Sequence, residues 1–455
     1  MFHNMFAAFA HLIANTFFRR IDVVGLENVP SEGPLIFAGN HPNALMDGLL
    51  LNATCGRWPL HFLASDKLWK YKLLGTVLDA SGAVPVARRD EHAGDVDNTK
   101  AFERLYAILE GGDCMGIFPE GISHVESQLT QLKTGTARIA LAVTAAGDTG
   151  VKIIPCGLNY IHRHRFRSQV MIEFGAPIEI NEQWVREFQA DEQATVRKLT
   201  DHLAAALTGV TLNAPDWRTL RFIQTTRRLY KPSTVELSPG QYIELSRRFV
   251  EGYLLEERNP KVQKFRDEVE DYQSRLDLLG LKDYQLRHTI NTGRALRKLL
   301  FRSLRMLTLL PLAIPGAILH LPVGWAAATV GEHFSYEQDD IATLKVFATV
   351  LLLPVLYLLT AIVIGMNFGF WWALGAMLVL PLSFFSSVRI IEAEVSLFVS
   401  MVSLLRLTRL GSEVDALRQS RSELVKEIRE LVDRHRDPDL PRFFRAQDFR
   451  QPAGE

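Results

Sequence analysis

Cysteine is scarce in this chain: Cys55, Cys114 and Cys156 are the only three among 455 residues. They stand far apart, odd in number and without a C-x-x-C pair, so no disulfide framework and no structural zinc site is encoded. They are expected to be reduced core or strand residues. A surplus of positive charge is missing too, since 51 Lys and Arg face 51 Asp and Glu. Nucleic-acid proteins need a basic excess for phosphate contacts, so that class is set aside, and any anionic ligand must be met by local cations. There is no Walker glycine-lysine loop, and "GISHVE" is not the G-x-S-x-G elbow, which leaves no serine nucleophile to read.

The first residues, "MFHNMFAAFAHLIANTFFRR", lack the basic start and the A-x-A cleavage pattern of a secretory signal. Their apolar run falls short of the roughly 20 residues of a span. Residues 1–20 are expected to form a helix in the bilayer interface, with Arg19 and Arg20 among headgroups, and a plain core helix is the alternative.

From residue 21 to 181 short apolar runs alternate with helical patterns. "PLIFAG", "HFLAS", "GAVPVA", "CMGIF", "KIIPCGLNYI" and "VMIEFG" read as strands, while "TKAFERLYAILEGG" and "GTARIALAVTAAG" have helical periodicity. The fold class is therefore α/β, with a mostly buried sheet flanked by helices. Ligands in such folds gather where strands end and helices begin. The stretch "GNHPNALMDG", residues 39–48, lies at one such place. His41 follows the strand and Pro42 suits the first position of a helix. Six residues at about 100° each would carry Asp47 far around a helix from His41, so a turn must bring the two together. A carboxylate that holds one ring nitrogen leaves the other free to take a proton from a hydroxyl, the orienting logic of a catalytic triad without its serine.

Three further stretches bear on this pair. "GAVPVARRD" ends a strand with Arg88 and Arg89, "IFPEGISH" puts Glu120 and Gly121 in a tight turn, and "KIIPCGLNY" contains Pro155. With these blocks the chain resembles the phospholipid/glycerol acyltransferase family. Its members carry, in order, a histidine-aspartate block, a G-x-x-x-x-x-R block, an F-P-E-G block and an apolar block with a proline. Gly82 with Arg88, Phe118 to Gly121, and Ile154 with Pro155 match as they stand. Two departures stand out. "HPNALMD" has five residues between histidine and aspartate where most of the family has four; the longer spacing is that of the fungal-type glycerol-3-phosphate and dihydroxyacetone-phosphate acyltransferases, which carry membrane segments after the catalytic domain. In "FPEGISH" the threonine and arginine of many members are absent, and Lys133 in "LKTGTA" or Arg89 is the candidate replacement.

The resemblance implies an acyltransferase domain with a mixed sheet, in which His41 is the base and Asp47 its orienter. Arg88 and Arg89, with Lys133, would hold the acceptor's phosphate. Glu120 would bind an acceptor hydroxyl, and Gly121 would let a backbone N–H approach closely. The basic run "HRHRFR", residues 162–167, reads as a loop near headgroups and not as a metal site, because no carboxylate or cysteine accompanies it. Transfer is expected to pass directly from thioester to hydroxyl, with no cofactor, no metal and no covalent enzyme intermediate.

Residues 182–305 are rich in charge and read as a helical arm, with "TLNAPDW" as boundary punctuation. In the membrane region, 306–390, "VFATVLLLPVLYLLTAIVI" (346–364) and "FGFWWALGAMLVLPLSFFSSV" (368–388) are charge-free and long enough to cross. Gly365, Met366 and Asn367 would turn an antiparallel hairpin between them. Pro311, Pro315 and Pro322 interrupt the earlier run, 306–330, which is expected to be re-entrant or interfacial. Basic flanks on both sides, Arg294 to Arg305 and Arg406 to Arg421, keep the number of crossings even. In the tail, 391–455, Leu417, Leu424, Ile428 and Leu431 recur at heptad-like spacing, which fits either a homodimer contact or packing on the same chain.

The expected protein is an integral membrane acyltransferase with its catalytic domain on the cytoplasmic face of a bacterial inner membrane. Its partners would be an acyl thioester donor, acyl-CoA or acyl carrier protein, a phosphorylated glycerol acceptor and membrane lipids, with no nucleic acid. A lysophosphatidate acyltransferase is the nearest alternative. From other classes come an inactive membrane scaffold, against which intact His41, Asp47 and Glu120 argue, and a lipid hydrolase, which needs a nucleophile or water site that the motifs do not offer.

Overall fold

The computed structural model describes residues 2–435 except 71, 88–97, 148, 233, 288–291, 336 and 410, together with 443–445 and 448. The chain divides into two compact units, Met1–Asp216 with Phe334–Val346, and Trp217–His333 with Phe347–Glu455.

The first unit is built on strands β1 (Phe18–Val24), β2 (Leu35–Gly39), β3 (Leu60–Ser65), β4 (Val84–Val86), β5 (Cys114–Ile117), β6 (Lys152–Tyr160), β7 (Ser168–Phe174) and β8 (Ile178–Glu179). They form one sheet in the order β1-β7-β6-β2-β5-β3-β4, with β8 beside β6. The central strands run parallel, and β7 and β8 run antiparallel to β6, so the sheet is mixed. Helices α1 (Phe2–Phe17), α2 (Leu45–Thr54), α3 (Lys72–Ser81), α4 (Thr99–Glu110), α5 (Gly135–Ala146), α6 (Glu182–Ala190) and α7 (Glu192–Val210) accompany it.

All five residues of β2 are buried, as a parallel strand covered on both faces requires. Period-2 alternation sends its side chains to opposite layers. Ile36 and Ala38 join Leu105 and Leu109 of α4, Ile139 and Leu141 of α5, and Leu199, Leu203 and Leu207 of α7. Leu35 and Phe37 join Ala14 and Phe17 of α1 and Met46, Leu50 and Leu51 of α2. Each such side chain contributes about 1.5–3 kcal/mol on leaving water. The three cysteines lie in the second layer, all buried, and burial pushes the Cys55 thiol up to about 12.

Two expectations about the first unit need correcting. The N-terminal helix stops at Phe17, and "FRRIDVV" is strand β1, with the Arg20 guanidinium 2.7 Å from Asp22 instead of at a helix end. The helix buries Ala10, Ala14 and Phe17 and exposes Phe9 and Leu12, so one face is core and the other an apolar surface. The catalytic unit also runs past residue 181 to Asp216, inside "TLNAPDW". Val196, Leu199, Leu203, Leu207 and Val210 make a helical stripe that covers the sheet, and the charged outer face of the same helix made it resemble an arm.

In the second unit α8 (Trp217–Tyr230), α9 (Pro239–Leu255), α10 (Pro260–Leu279) and the short α11 (Asp283–Leu286) pack around Phe222, Tyr253, Phe265 and Tyr272. Capping explains their limits: a Ser238–Gln241 box opens α9, and Asn259 with Pro260 opens α10, which Gly280 closes in the left-handed region. The long helices are α12 (Thr292–His333), α13 (Ile341–Phe368) and α14 (Phe370–Arg409), followed by α15 (Gly411–His435). α12 runs through the prolines without the expected break. In apolar helices neighbouring groups re-satisfy the backbone that proline frees. His320 of α12 gives its Nδ1 proton to Gly316 O at 2.6 Å, which leaves Nε2 to accept from the Tyr357 hydroxyl at 3.1 Å. The hairpin turns at Gly369, φ 94°, and not at residues 365–367. Ile341–Phe368 and Phe370–Val388 are long and apolar enough to cross a membrane, and only 6% of the most apolar window of each is buried, unlike a core helix. Leu417, Leu424 and Ile428 of α15 are buried against α8 and α10, so the apolar stripe packs on its own chain.

Gly157 of β6 has the end of α7 directly against it: a Cβ there would lie 1.9 Å from Val210 O. Backbone cannot yield as a side chain does, so Gly157→Ala is expected to destabilise the first unit by about 3 kcal/mol or more in denaturant unfolding. Gly209→Ala, with nothing within 4 Å, is the control and should change stability by less than about 1 kcal/mol.

Candidate active site

β2 ends at Gly39, and α2 begins only at Leu45, so Pro42 lies in the intervening turn and not at the first helical position. The Asn40 side chain prolongs the β2–β6 pairing, donating to Leu158 O at 3.1 Å and accepting from Leu158 N–H at 2.7 Å. Ala44 takes a strained φ of 42° to enter the helix. That turn folds His41 back over the first turn of α2, where Nδ1 stands 2.9 Å from Asp47 Oδ2. The same oxygen accepts the Asn43 N–H at 2.7 Å, while Oδ1 accepts the Tyr160 hydroxyl. Burial raises the Asp47 carboxyl above its ordinary value, opposed by these three donors. Burial, then the charge of Asp47, raises Tyr160 well above its own, so its hydroxyl stays protonated and donates. With Nδ1–H committed to Asp47, Nε2 carries the basic lone pair. The imidazole side chain is 13% exposed and stacks on Phe118 at 4.0 Å, with 5° between the planes.

Glu120 is buried behind this ring. Its Oε1 accepts the His41 N–H at 2.9 Å, and its Oε2 accepts the Thr130 N–H and hydroxyl, each at 2.8 Å, and His124 Nε2. A carboxylate has about four lone-pair sites, and protein donors take four here. The geometry thus makes Glu120 a tie between loops, with three donors on Oε2 and one, the His41 N–H, on Oε1. Burial raises its carboxyl, but the bonds from His124 and Thr130 outweigh burial and hold it below 4.5. His124, raised by its bond to Glu120, sits above 6.5.

Gly121 has φ 79°, and a Cβ there would meet Lys133 Nζ at 2.6 Å, so the lysine lies across the glycine beside the Glu120 turn. Gly82, φ 75°, fits its turn only without a side chain, since a Cβ would be 2.4 Å from His61 Nδ1. Arg88 and Arg89 lie outside the described residues. The site thus brings together His41, Asp47, Glu120, Gly121 and Lys133. Asn43, His124, Thr130 and Tyr160 join them without having been singled out, and Arg163 of the basic run 162–167, expected near headgroups, donates to Pro42 O and His124 O, each at 3.3 Å. Tyr160 carried a usable signal, because it ends the strand next to β2 at the same edge of the sheet. His124 and Thr130 carried none beyond their closeness to the F-P-E-G block.

Two family models match: Acyltransferase over residues 20–159, and Glycerol-3-phosphate acyltransferase 2 C-terminal domain over residues 222–440. Residues 20–159 thus carry an acyltransferase domain of the phospholipid/glycerol acyltransferase type, followed by a region that matches the C-terminal domain. The chain is 34% identical to glycerol-3-phosphate O-acyltransferase 2 of Saccharomyces cerevisiae over 60% of its own length and 39% of the yeast protein. Glycerol-3-phosphate O-acyltransferase 1 of the same yeast is 33% identical over 60% and 38%. An uncharacterized acyltransferase of Schizosaccharomyces pombe is 29% identical over 85% of this chain and 62% of its own. The chain therefore matches less than two thirds of the length of each of these relatives.

The Glu120–His124 pair gives the first unit a pH signature. A raised His124 contributes stability that is whole below pH 6.5 and fades as pH rises through its folded value; a lowered Glu120 contributes stability that is whole above pH 4.5 and fades as pH falls through its own. The pair is strongest between those values. His124→Gln should lower the unfolding temperature most near about pH 5.5 and least near about pH 9; a deficit that grows with pH would show that the two are not paired.

Proposed function

We propose that the chain is a membrane-bound O-acyltransferase that moves a fatty acyl group from acyl-CoA or acyl-ACP to glycerol-3-phosphate or dihydroxyacetone phosphate. The observation that carries the reading is the buried Asp47 carboxylate on His41 Nδ1 at 2.9 Å, which leaves Nε2 at the mouth of a strand-to-helix turn. In the proposed step the acceptor hydroxyl gives its proton to Nε2 as its oxygen bonds to the thioester carbonyl carbon. Asp47 stabilises the imidazolium that forms. The tetrahedral intermediate collapses, the carbon–sulfur bond breaks, and the thiolate takes the proton back from Nε2 and leaves as thiol. No atom is left on the enzyme, and no metal or cofactor is called upon.

The acceptor's phosphate is assigned to Arg88, with Arg89 and Lys133 beside it. The names of the yeast relatives favour glycerol-3-phosphate over lysophosphatidate, whose acylation is the second reading. The two apolar helices anchor the protein, and the basic flanks assign the catalytic unit to the cytoplasmic side, fitting a bacterial inner membrane.

One assay tests the reading: purified protein with labelled acyl-CoA, offered glycerol-3-phosphate, dihydroxyacetone phosphate and lysophosphatidate in turn. Transfer identifies the acceptor. Free fatty acid instead would mean a hydrolase, and silence with every thioester would mean a scaffold. His41→Ala should lower kcat by ~10²-fold or more, because the ring acts only when the proton moves, while the donor lost to Asp47 costs at most about 1–3 kcal/mol of stability. Retained turnover would exclude His41 as the base. Arg88→Ala should raise the acceptor KM about ten- to a hundred-fold and leave that of acyl-CoA alone, as loss of one charged phosphate bond predicts. The opposite pattern would move Arg88 to the donor's phosphates.

A further inference from the structure

Strand β6 ends in Tyr160, and the alternation of the strand decides where that ring goes. Ile154, Cys156 and Leu158 belong to the layer that holds α1 and α2, so Tyr160, two residues further on, packs there too. Asp47 sits in the first turn of α2, on the same side of the sheet. The end of the strand is held at each residue. Asn40 bonds both the N–H and the carbonyl of Leu158, and the Asn159 side chain donates to Val210 O and accepts from Leu212 N–H, each at 3.0 Å. Ile161 N–H donates to Gln169 O at 3.1 Å, and the Tyr160 ring lies 5.8 Å from that of Phe18, itself buried. A rigid strand thus presents the phenol hydroxyl to a carboxylate 113 residues away in sequence.

An aspartate held at one oxygen can still turn about its Cβ–Cγ bond, where the torsional wells are broad. Both donors on Asp47 Oδ2, the Asn43 N–H at 2.7 Å and His41 Nδ1 at 2.9 Å, come from the loop just before it. Oδ1 has one donor among the described residues, the Tyr160 hydroxyl. Asp47 is fully buried, so bulk water does not stand in for a donor that is lost.

We infer that Tyr160 is a positioning residue of the proposed transfer, acting through Asp47. Its hydroxyl fixes the carboxylate at the oxygen that the imidazole does not use, so that Oδ2 stays on Nδ1 and Nε2 keeps its aim. The kinetic consequence rests on the acyl-transfer reading; the hold on Asp47 does not. A second effect follows from charge. The hydroxyl favours the ionised carboxylate against the upward push of burial. Its loss costs the carboxylate more beside a neutral imidazole than beside an imidazolium, which already compensates the negative charge. Without the hydroxyl the pair therefore keeps its proton to higher pH, whichever partner carries it. The other groups that face the pair are untouched by a change at Tyr160: the Asn43 N–H on Asp47, Arg163 whose charge acts on Asp47, Glu120 at the His41 N–H, and Asp340 in the field of His41.

The test uses the full-length protein with Tyr160→Phe, Asp47→Asn, the two together, and Tyr160→3-fluorotyrosine. Tyr160→Phe keeps the ring and removes the hydroxyl. It should lower kcat about ten-fold with both KM values changed by less than about two-fold, and it should move the acid limb of the kcat/KM profile to higher pH. Added to Asp47→Asn, it should cost less than about two-fold more. Fluorotyrosine fills nearly the same space with a stronger donor, so the acid limb should move to lower pH. In protein with isotope-labelled histidine, the His41 Nδ1 proton, assigned by its loss in His41→Ala, should exchange with water about ten-fold faster in Tyr160→Phe. An unmoved acid limb, equal losses with and without the Asp47 carboxylate, a change confined to one KM, or unchanged exchange at Nδ1 would overturn the inference. If the unaltered protein transfers no acyl group, the proposed function fails, and exchange at Nδ1 still decides what Tyr160 holds. If Tyr160→Phe does not fold, the fluorotyrosine protein decides: slower exchange at Nδ1 and a lower acid limb support the inference, and no change in either overturns it.

Discussion

A carboxylate taken out of water must find its hydrogen bonds inside the protein, and Glu120 takes its four from three separate places in the chain. Everything around the base follows from that demand. The His41 backbone is pinned through its N–H, and its carbonyl accepts from His124 N–H at 3.1 Å, which closes a ring of contacts between the two motif loops. Removing one donor would leave a buried lone pair unsatisfied at about 1–3 kcal/mol, so the loops stand or fall together. Asp47 repeats the arrangement on the other side of the imidazole, with Asn43, His41 and Tyr160 as donors. The imidazole thus has rigid neighbours at its backbone and at its ring nitrogen.

Much of this was legible before any coordinates. Period-2 alternation with β-branched residues locates six strands, because buried parallel strands read as apolar runs. It misses β1, since "FRRIDVV" carries charge and follows an apolar helix without punctuation, and β8, which is two residues long. Of the site, the motif spacing exposes His41, Asp47, Glu120, Gly121 and Lys133, but it cannot say what each carboxylate bonds to. Glu120 and Asp47 look alike in sequence; one orients a ring and the other ties loops, and only the distribution of donors separates them. Tyr160 ends the block with the proline and Arg163 lies in the basic run 162–167, and neither stretch says what the side chain bonds to.

Domain limits fared differently for a physical reason. Composition marks α7 as polar because its outward face is charged, while burial depends only on the inward stripe. The proline-broken run misleads in the opposite sense. Proline is a reliable helix breaker where water competes for the freed carbonyls, and a long apolar helix with neighbours is a milder setting. Phe334–Val346 is a third case. Its sequence falls inside the membrane region expected over 306–390, and nothing in it announces that one of its acidic residues, Asp339, is buried.

Phe118 does more than mark a motif. Its ring lies flat on His41, and Phe62 continues the pile at 5.9 Å and 15°, so three planar rings form a shelf. The lone pair on Nε2 lies in the plane of the imidazole, not above it. A hydroxyl that gives up its proton there must travel along the shelf, edge-on, with the covered face of the ring closed to it. The aromatic surface thereby sets a direction of approach. In the proposed transfer an acceptor would slide in as a card enters a slot, on the side of the ring that Phe118 leaves open.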